Sequence, residues 1–172
     1  MATKAKKKRS RPILRKVEAG LGVPLANLVE KLELKSSKLV GPKKVFLPKA
    51  NFTMHYYERE AVCSGQNNNS SVPTILLCHG FGMHGREFCS FLRQVNIPET
   101  IRILVPEMIG HGEDLERVRS EGVESFQQPD AMRGLNTASE FLDVVKAGPN
   151  CNALGTSLGG ALLYFLKQKR PD

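Results

Sequence analysis

Three short stretches of this chain carry residue types that could do chemistry. The last, Gly155-Thr156-Ser157-Leu158-Gly159-Gly160, follows the strand-like Cys151-Asn152-Ala153-Leu154 and precedes a run of helix formers from Ala161 to Lys167. Strand, G-x-S-x-G, helix is the setting in which a serine hydroxyl is held on a sharp turn as a nucleophile. Such a turn strains the serine backbone, so its neighbours two residues away must be small, and Gly155 and Gly159 meet that need. The turn also places the Ser157 hydroxyl at the positive end of the following helix. The competing reading is a glycine-rich loop with an incidental serine, because the pattern also recurs by chance.

The first stretch, Gly80-Phe81-Gly82-Met83-His84-Gly85, matches G-x-G-x-x-G between a strand and a helix. One reading is a dinucleotide turn, with pyrophosphate on the helix N-terminus and Glu107, near the next strand end, on the ribose hydroxyls. The other is an oxyanion turn. There the residue after His79-Gly80 donates its backbone N–H to a developing oxyanion, and the residue after the nucleophile donates the second, which names Phe81 and Leu158. A dinucleotide site leaves both His79 and the glycine turn around Ser157 without a role. The oxyanion reading uses both turns, as neighbours across the tops of parallel strands.

The elements that must position these turns are legible as alternating patterns. Residues 43–48 and 52–57 read as two extended segments around a turn near Ala50-Asn51. Thr74 to Cys78 is a continuous apolar run, as in a strand covered on both faces, and Ile101 to Val105 reads as the next strand, ending at Pro106-Glu107. Between them, Phe88, Phe91, Leu92 and Val95 recur at helical spacing over residues 86–95. A polar connection over 108–128 leads to a helix over 132–146, with Leu135, Ala138, Leu142 and Val145 on one face. Gly148-Pro149 ends it and opens a short buried strand before Ser157. Strands alternating with helices predict an α/β fold of βαβ units with right-handed crossovers.

His79-Gly80-Phe81-Gly82, then Pro106-Glu107-Met108-Ile109-Gly110-His111-Gly112, then Gly155 to Gly160, in that order, resemble the α/β-hydrolase superfamily over residues 50–170. The chain is most similar to the branch of monoacylglycerol lipases and related esterases. The resemblance implies a partial α/β-hydrolase fold: a mostly parallel sheet, first strands antiparallel, with helices on both faces. It implies serine hydrolysis of carboxylic esters, lipid esters above all, through an acyl-enzyme on Ser157, with no cofactor or metal. Glu107 stands where the family has aspartate, and His111 is expected to hold loop backbone. His55 is expected on a strand or the surface, and His84 at the pocket mouth or in solvent. The family's triad places an acid and then a histidine after the serine. Here His55, His79, His84 and His111 all precede Ser157, so the chain is expected to be the N-terminal part of a hydrolase, inactive alone. The lid and acyl pocket are then expected beyond Asp172. A noncatalytic hydrolase-like binding module and a dinucleotide-binding βαβ protein are the alternatives.

Charge divides the chain. Of a formal net charge of +8 over 172 residues, Lys4, Lys6, Lys7, Lys8, Arg9, Arg11, Arg15 and Lys16 precede the first acid, Glu18. Residues 1–22 read as a basic, disordered arm and 23–42 as a linker with an amphipathic helix opened by Pro24. Residues 43–172 read as the hydrolase portion. The arm suits an anionic membrane surface or a nuclear address; a specific nucleic-acid partner is not expected. Cys63, Cys78, Cys89 and Cys151 lack any C-x-x-C spacing and read as reduced thiols. No apolar stretch forms a secretory signal or membrane span, so the expected location is intracellular, cytoplasmic or peripheral on membranes. Zinc-ligand spacing and a P-loop are both missing from the sequence.

Overall fold

The structure, a computed structural model, describes residues 32–62, 72–115 and 131–171. The basic arm, most of the helix expected after Pro24, Cys63, the loop at 65–71 and the later part of the 108–128 connection lie outside these residues. The chain divides into two compact units, Met1–Glu33 and Leu34–Asp172, and the second holds the whole sheet.

Strands β1 (Val40–Leu47) and β2 (Phe52–Arg59) form an antiparallel hairpin with Val45 opposite Met54. Its turn is tied down from a distance: the buried Glu140 carboxylate accepts the Lys49 and Ala50 N–H groups at 2.7 and 2.9 Å. Strands β3 (Thr74–Cys78), β4 (Arg102–Pro106) and β5 (Cys151–Gly155) complete a five-stranded sheet in the order β1-β2-β4-β3-β5. β2 runs antiparallel to β4, whereas β3 is parallel to both β4 and β5. Antiparallel strands therefore come first and parallel ones follow, and connections long enough to carry helices return the chain for parallel pairing.

Alternation along β3 and β4 feeds two cores. Leu76, Cys78 and Leu104 face helices α2 (Ala131–Val144) and α3 (Leu158–Lys169), packing with Phe141, Leu162 and Leu166. Leu77, Ile103 and Val105 face the other way, onto Phe88, Cys89 and Leu92 of helix α1 (Phe88–Gln94) and onto Tyr57. Helices thus cover both faces, and each fully buried Leu, Ile or Phe contributes roughly 1.5–3 kcal/mol.

Two elements differ from the sequence reading. The helix expected over 86–95 opens as a 3₁₀ turn, Gly85–Glu87, before α1. Extended His84 starts it, and the Glu87 carboxylate accepts the His84 N–H at 3.3 Å, closing a tight first turn. The second difference is β5, expected as a buried strand. Its Asn152, Ala153 and Leu154 are exposed, because β5 lies at the sheet edge with β3 beside it.

Candidate active site

Three turns leave the same end of the sheet. Parallel register sets Cys78, the last residue of β3, opposite Gly155, the last of β5, and the Thr156 N–H donates to the Cys78 carbonyl at 3.1 Å. β4 ends beside them at Pro106. A crevice beyond the carboxyl ends of parallel strands is where α/β sheets place ligands.

Ser157 caps α3 with φ 50° and ψ −118°, a left-handed backbone that costs a non-glycine residue on the order of 1–3 kcal/mol. The surrounding glycines are required sterically. A Cβ on Gly155 would stand 2.5 Å from the Gly159 carbonyl carbon and 2.6 Å from the Gly160 nitrogen. One on Gly159 would enter the Cys78 carbonyl oxygen at the end of β3. Thus Gly155 lets the strand fold back on its helix, and Gly159 lets the helix press against the neighbouring strand. The Ser157 side chain makes no capping bond to the helix and is exposed.

The Gly80 turn touches this one: a Cβ on Gly80 would lie 3.4 Å from the Ser157 Cβ. Neither the Phe81 nor the Leu158 N–H has a hydrogen-bond partner among the described residues. The structure therefore brings Ser157, Phe81 and Leu158 to adjoining turns. Phe81 and Leu158 also line one cavity of about 420 Å³, with Met108, Ile109, His111, Met132, Gly134, Leu135 and Phe165 among the other walls.

Histidine and glutamate hold the Gly80 turn in place. His79 is fully buried; its Nδ1–H donates to the Gly80 carbonyl at 2.9 Å and its Nε2 accepts the Met108 N–H at 3.0 Å. Both nitrogens are engaged only in the neutral ring. Burial above all lowers the imidazole pKa, which keeps it neutral. Glu107 is also buried. Its Oε1 accepts the Gly85 N–H at 3.0 Å and lies 2.5 Å from His84 Nδ1. The Arg86 N–H approaches that same His84 nitrogen at 3.4 Å. Glu107 Oε2 sits 3.4 Å from His79 Nε2, but that nitrogen is the unprotonated one, already accepting the Met108 hydrogen bond, and has no N–H to give, so Oε2 has no hydrogen-bond partner among the described residues. Gly85 and Gly112 make room for the longer side chain: a Cβ on either would crowd its carboxylate.

This arrangement removes the dinucleotide reading of Gly80 to Gly85. Glu107 is 2% exposed and turned into the protein, so it cannot reach a ribose, and it occupies the Gly85 N–H that a pyrophosphate would need. His84 departs from expectation too. Its ring packs between Glu107 and Tyr57 instead of facing the pocket mouth or solvent. His111 holds loop backbone as expected, its Nδ1–H donating to the Ile109 carbonyl at 2.9 Å. Its ring lies tilted at 54° beside that of His79, centroids 5.1 Å apart, and meets the Phe81 ring edge-on at 5.4 Å. His55 lies on β2, with its pKa lowered by burial and by Lys44. Cys78 is inert, its thiol pushed up to about 12 by burial. No cluster of three or more His, Cys, Asp or Glu able to hold a metal occurs among the described residues. No described helix is long and apolar enough to cross a membrane.

No family model matches the sequence. No curated protein matches it either. Solved structures do match. A bacterial membrane phospholipase A superposes with TM-score 0.64 at 21% identity, over 92% of this chain and 46% of that one. A candidate lipase from Acinetobacter baumannii AYE gives 0.62 at 17%, over 84% and 42%. An α/β hydrolase from Novosphingobium aromaticivorans gives 0.52 at 21%, over 75% and 39%. The chain spans less than half the length of each of these structures, and over that span its fold is that of the α/β-hydrolases.

Proposed function

We propose that this chain carries the nucleophile and oxyanion turns of a serine hydrolase acting on carboxylic esters, lipid esters in particular. The observation that carries the reading is the left-handed backbone of Ser157 between two glycines that no larger residue could replace. A fold does not retain such strain at an exposed serine for stability, and strain of this kind gathers at reacting positions. In this reading Ser157 Oγ attacks the ester carbonyl, and the Phe81 and Leu158 N–H groups receive the oxyanion. Each donor would stabilise the transition state by ~3 kcal/mol. Collapse of the tetrahedral species expels the alcohol and leaves an acyl-enzyme, which water then hydrolyses.

The base that takes the serine proton is not His79, whose two nitrogens are both engaged. No other described histidine hydrogen-bonds Ser157, so the reading needs a base from outside the described residues. That same observation favours a second reading, a noncatalytic module that keeps the hydrolase turns for binding. We further propose that the basic arm brings the domain to anionic membrane, as its charge suits.

Labelling by a fluorophosphonate in the presence of added imidazole tests the first reading, because free imidazole can serve as the missing base. The expected result is a single adduct on Ser157, formed faster as imidazole rises and lost in Ser157→Ala. No adduct at any imidazole concentration would favour the binding module.

A further inference from the structure

We infer that His84 and Glu107 form a proton-dependent latch on the oxyanion turn, which a proton on His84 Nδ1 closes and its loss opens. The inference rests on the reading of Phe81 as an oxyanion donor and adds the regulation of that site. The Gly80 to Gly85 turn is held at both ends. At the first, the His79 Nδ1–H donates to the Gly80 carbonyl at 2.9 Å. At the second, Glu107 Oε1 accepts the Gly85 N–H at 3.0 Å and faces His84 Nδ1 at 2.5 Å. Between them Gly82 has φ 69°, and a Cβ there would meet nothing within 4 Å, so packing does not fix the middle of the turn. The Phe81 N–H is therefore placed by the two ends.

His84 Nδ1 stands between two partners with opposite demands. Glu107 Oε1 is an acceptor and needs a proton on that nitrogen; the Arg86 N–H, at 3.4 Å, is a donor and needs its lone pair. One nitrogen cannot serve both. With the proton in place, His84 donates to the Glu107 carboxylate, as the 2.5 Å approach requires. Without it, the bare nitrogen keeps only the Arg86 N–H and turns a lone pair toward a carboxylate that is 2% exposed. Relief comes by parting His84, and Gly85 with it, from Glu107.

The groups around the pair do not substitute for that proton. His79 meets Glu107 Oε2 with its unprotonated nitrogen, and His111 lies against His79 with its own Nδ1–H on the Ile109 carbonyl. On β2, the Tyr57 ring packs on His84, and His55 feels the charges of Glu107, Lys44, Glu113 and Asp114. Arg93 of α1 and Arg102 of β4 are engaged elsewhere, with Ser36 and Ser90 and with Glu58. Glu87 accepts the His84 backbone N–H, which involves no ring proton. The His84 side chain is 15% exposed, enough to trade its proton with water. It is a positioning residue, acting on Phe81 through Glu107 and the turn.

Two readouts on the 172-residue chain test the latch. The first is magnetic resonance between about pH 5 and about pH 8.5, the range in which histidine changes charge. The Phe81 and Gly85 amide signals should shift with the same midpoint as the His84 ring protons. Those shifts should vanish in His84→Asn, whose side chain still caps the turn but takes up no proton. Glu107→Gln keeps an acceptor for the Gly85 N–H without the charge, and it should uncouple the Phe81 amide from His84. The second readout is fluorophosphonate labelling of Ser157 at a fixed concentration of unprotonated imidazole. The parent rate divided by the His84→Asn rate should fall about fivefold as pH rises over that range, the loss of one charge-assisted hydrogen bond. A Phe81 amide that ignores His84, or that shifts equally in His84→Asn, would overturn the inference. Amide coupling without any Ser157 adduct would keep the latch and remove the serine reading. An adduct formed at a rate ratio constant with pH would overturn the latch and keep the serine reading.

Discussion

Ser157 concentrates the cost of the site in one residue. Its φ of 50° suits glycine, so Ser157→Gly should relieve more strain than the flexibility of glycine costs. The expected outcome is a gain of about 1 kcal/mol, read as a melting temperature a few degrees higher, together with complete loss of labelling. An unchanged or lower melting temperature would show that the serine is not strained. His79 makes a second prediction, with a sign that follows from its surroundings. Burial lowers its pKa from the ordinary 6.5, so the unfolded chain takes up the proton more readily than the folded one. Its contribution to stability is then fully present above the unfolded value of about 6.5 and is lost progressively as pH falls from there through the lower folded value. His55, also lowered by burial, acts in the same direction, so His55→Gln is the necessary control. His79→Gln should cost about 2 kcal/mol at pH 8 through its lost hydrogen bonds. It should also lose less further stability than the parent between pH 8 and pH 5, measured by urea unfolding at each pH.

At the scale of elements, the contact between α3 and β3 sets the geometry of the site. Gly159→Val would drive side-chain atoms into the Cys78 carbonyl and push the helix from the strand, costing on the order of 2 kcal/mol or more. Gly160→Ala is the contrast: its Cβ would meet its nearest neighbour, the Gly155 carbonyl oxygen, at 3.3 Å, and the cost should stay well under that of Gly159→Val. Equal denaturation midpoints for the two variants would contradict the close packing. What could be read in the sequence follows the same division between local and distant causes. Thr74 to Cys78 announces a central strand because every residue is apolar or small, and the serine turn shows because its glycines lie two residues away. The exposure of Asn152 to Leu154 has no local signature, since it depends on which strands stand beside β5. Glu107 was open to two readings for the same reason. Its burial depends on Gly85 and Gly112, which meet only once β4 lies beside β3. The cavity, assembled from four separate segments, left no trace in any one of them.

For the whole molecule, the uneven charge makes the arm a separable part. Residues 4 to 16 hold eight of the 25 Lys and Arg residues and no acid. Each cation near an anionic surface contributes up to about 1 kcal/mol, less as salt screens it. Sedimentation with phosphatidylserine vesicles should show binding that falls with salt and disappears when residues 1–16 are deleted. Equal binding to neutral vesicles would rule out the electrostatic account. The strand order has a further consequence, for the chain during its synthesis. The β1–β2 hairpin is local and can close as soon as it leaves the ribosome, and β4 soon joins it to β3. The other edge of β3 must wait for β5, which is translated only after α2. Through that interval the apolar Thr74–Cys78 strand stands half-paired on the nascent chain, open to chaperones and to unwanted strand partners alike.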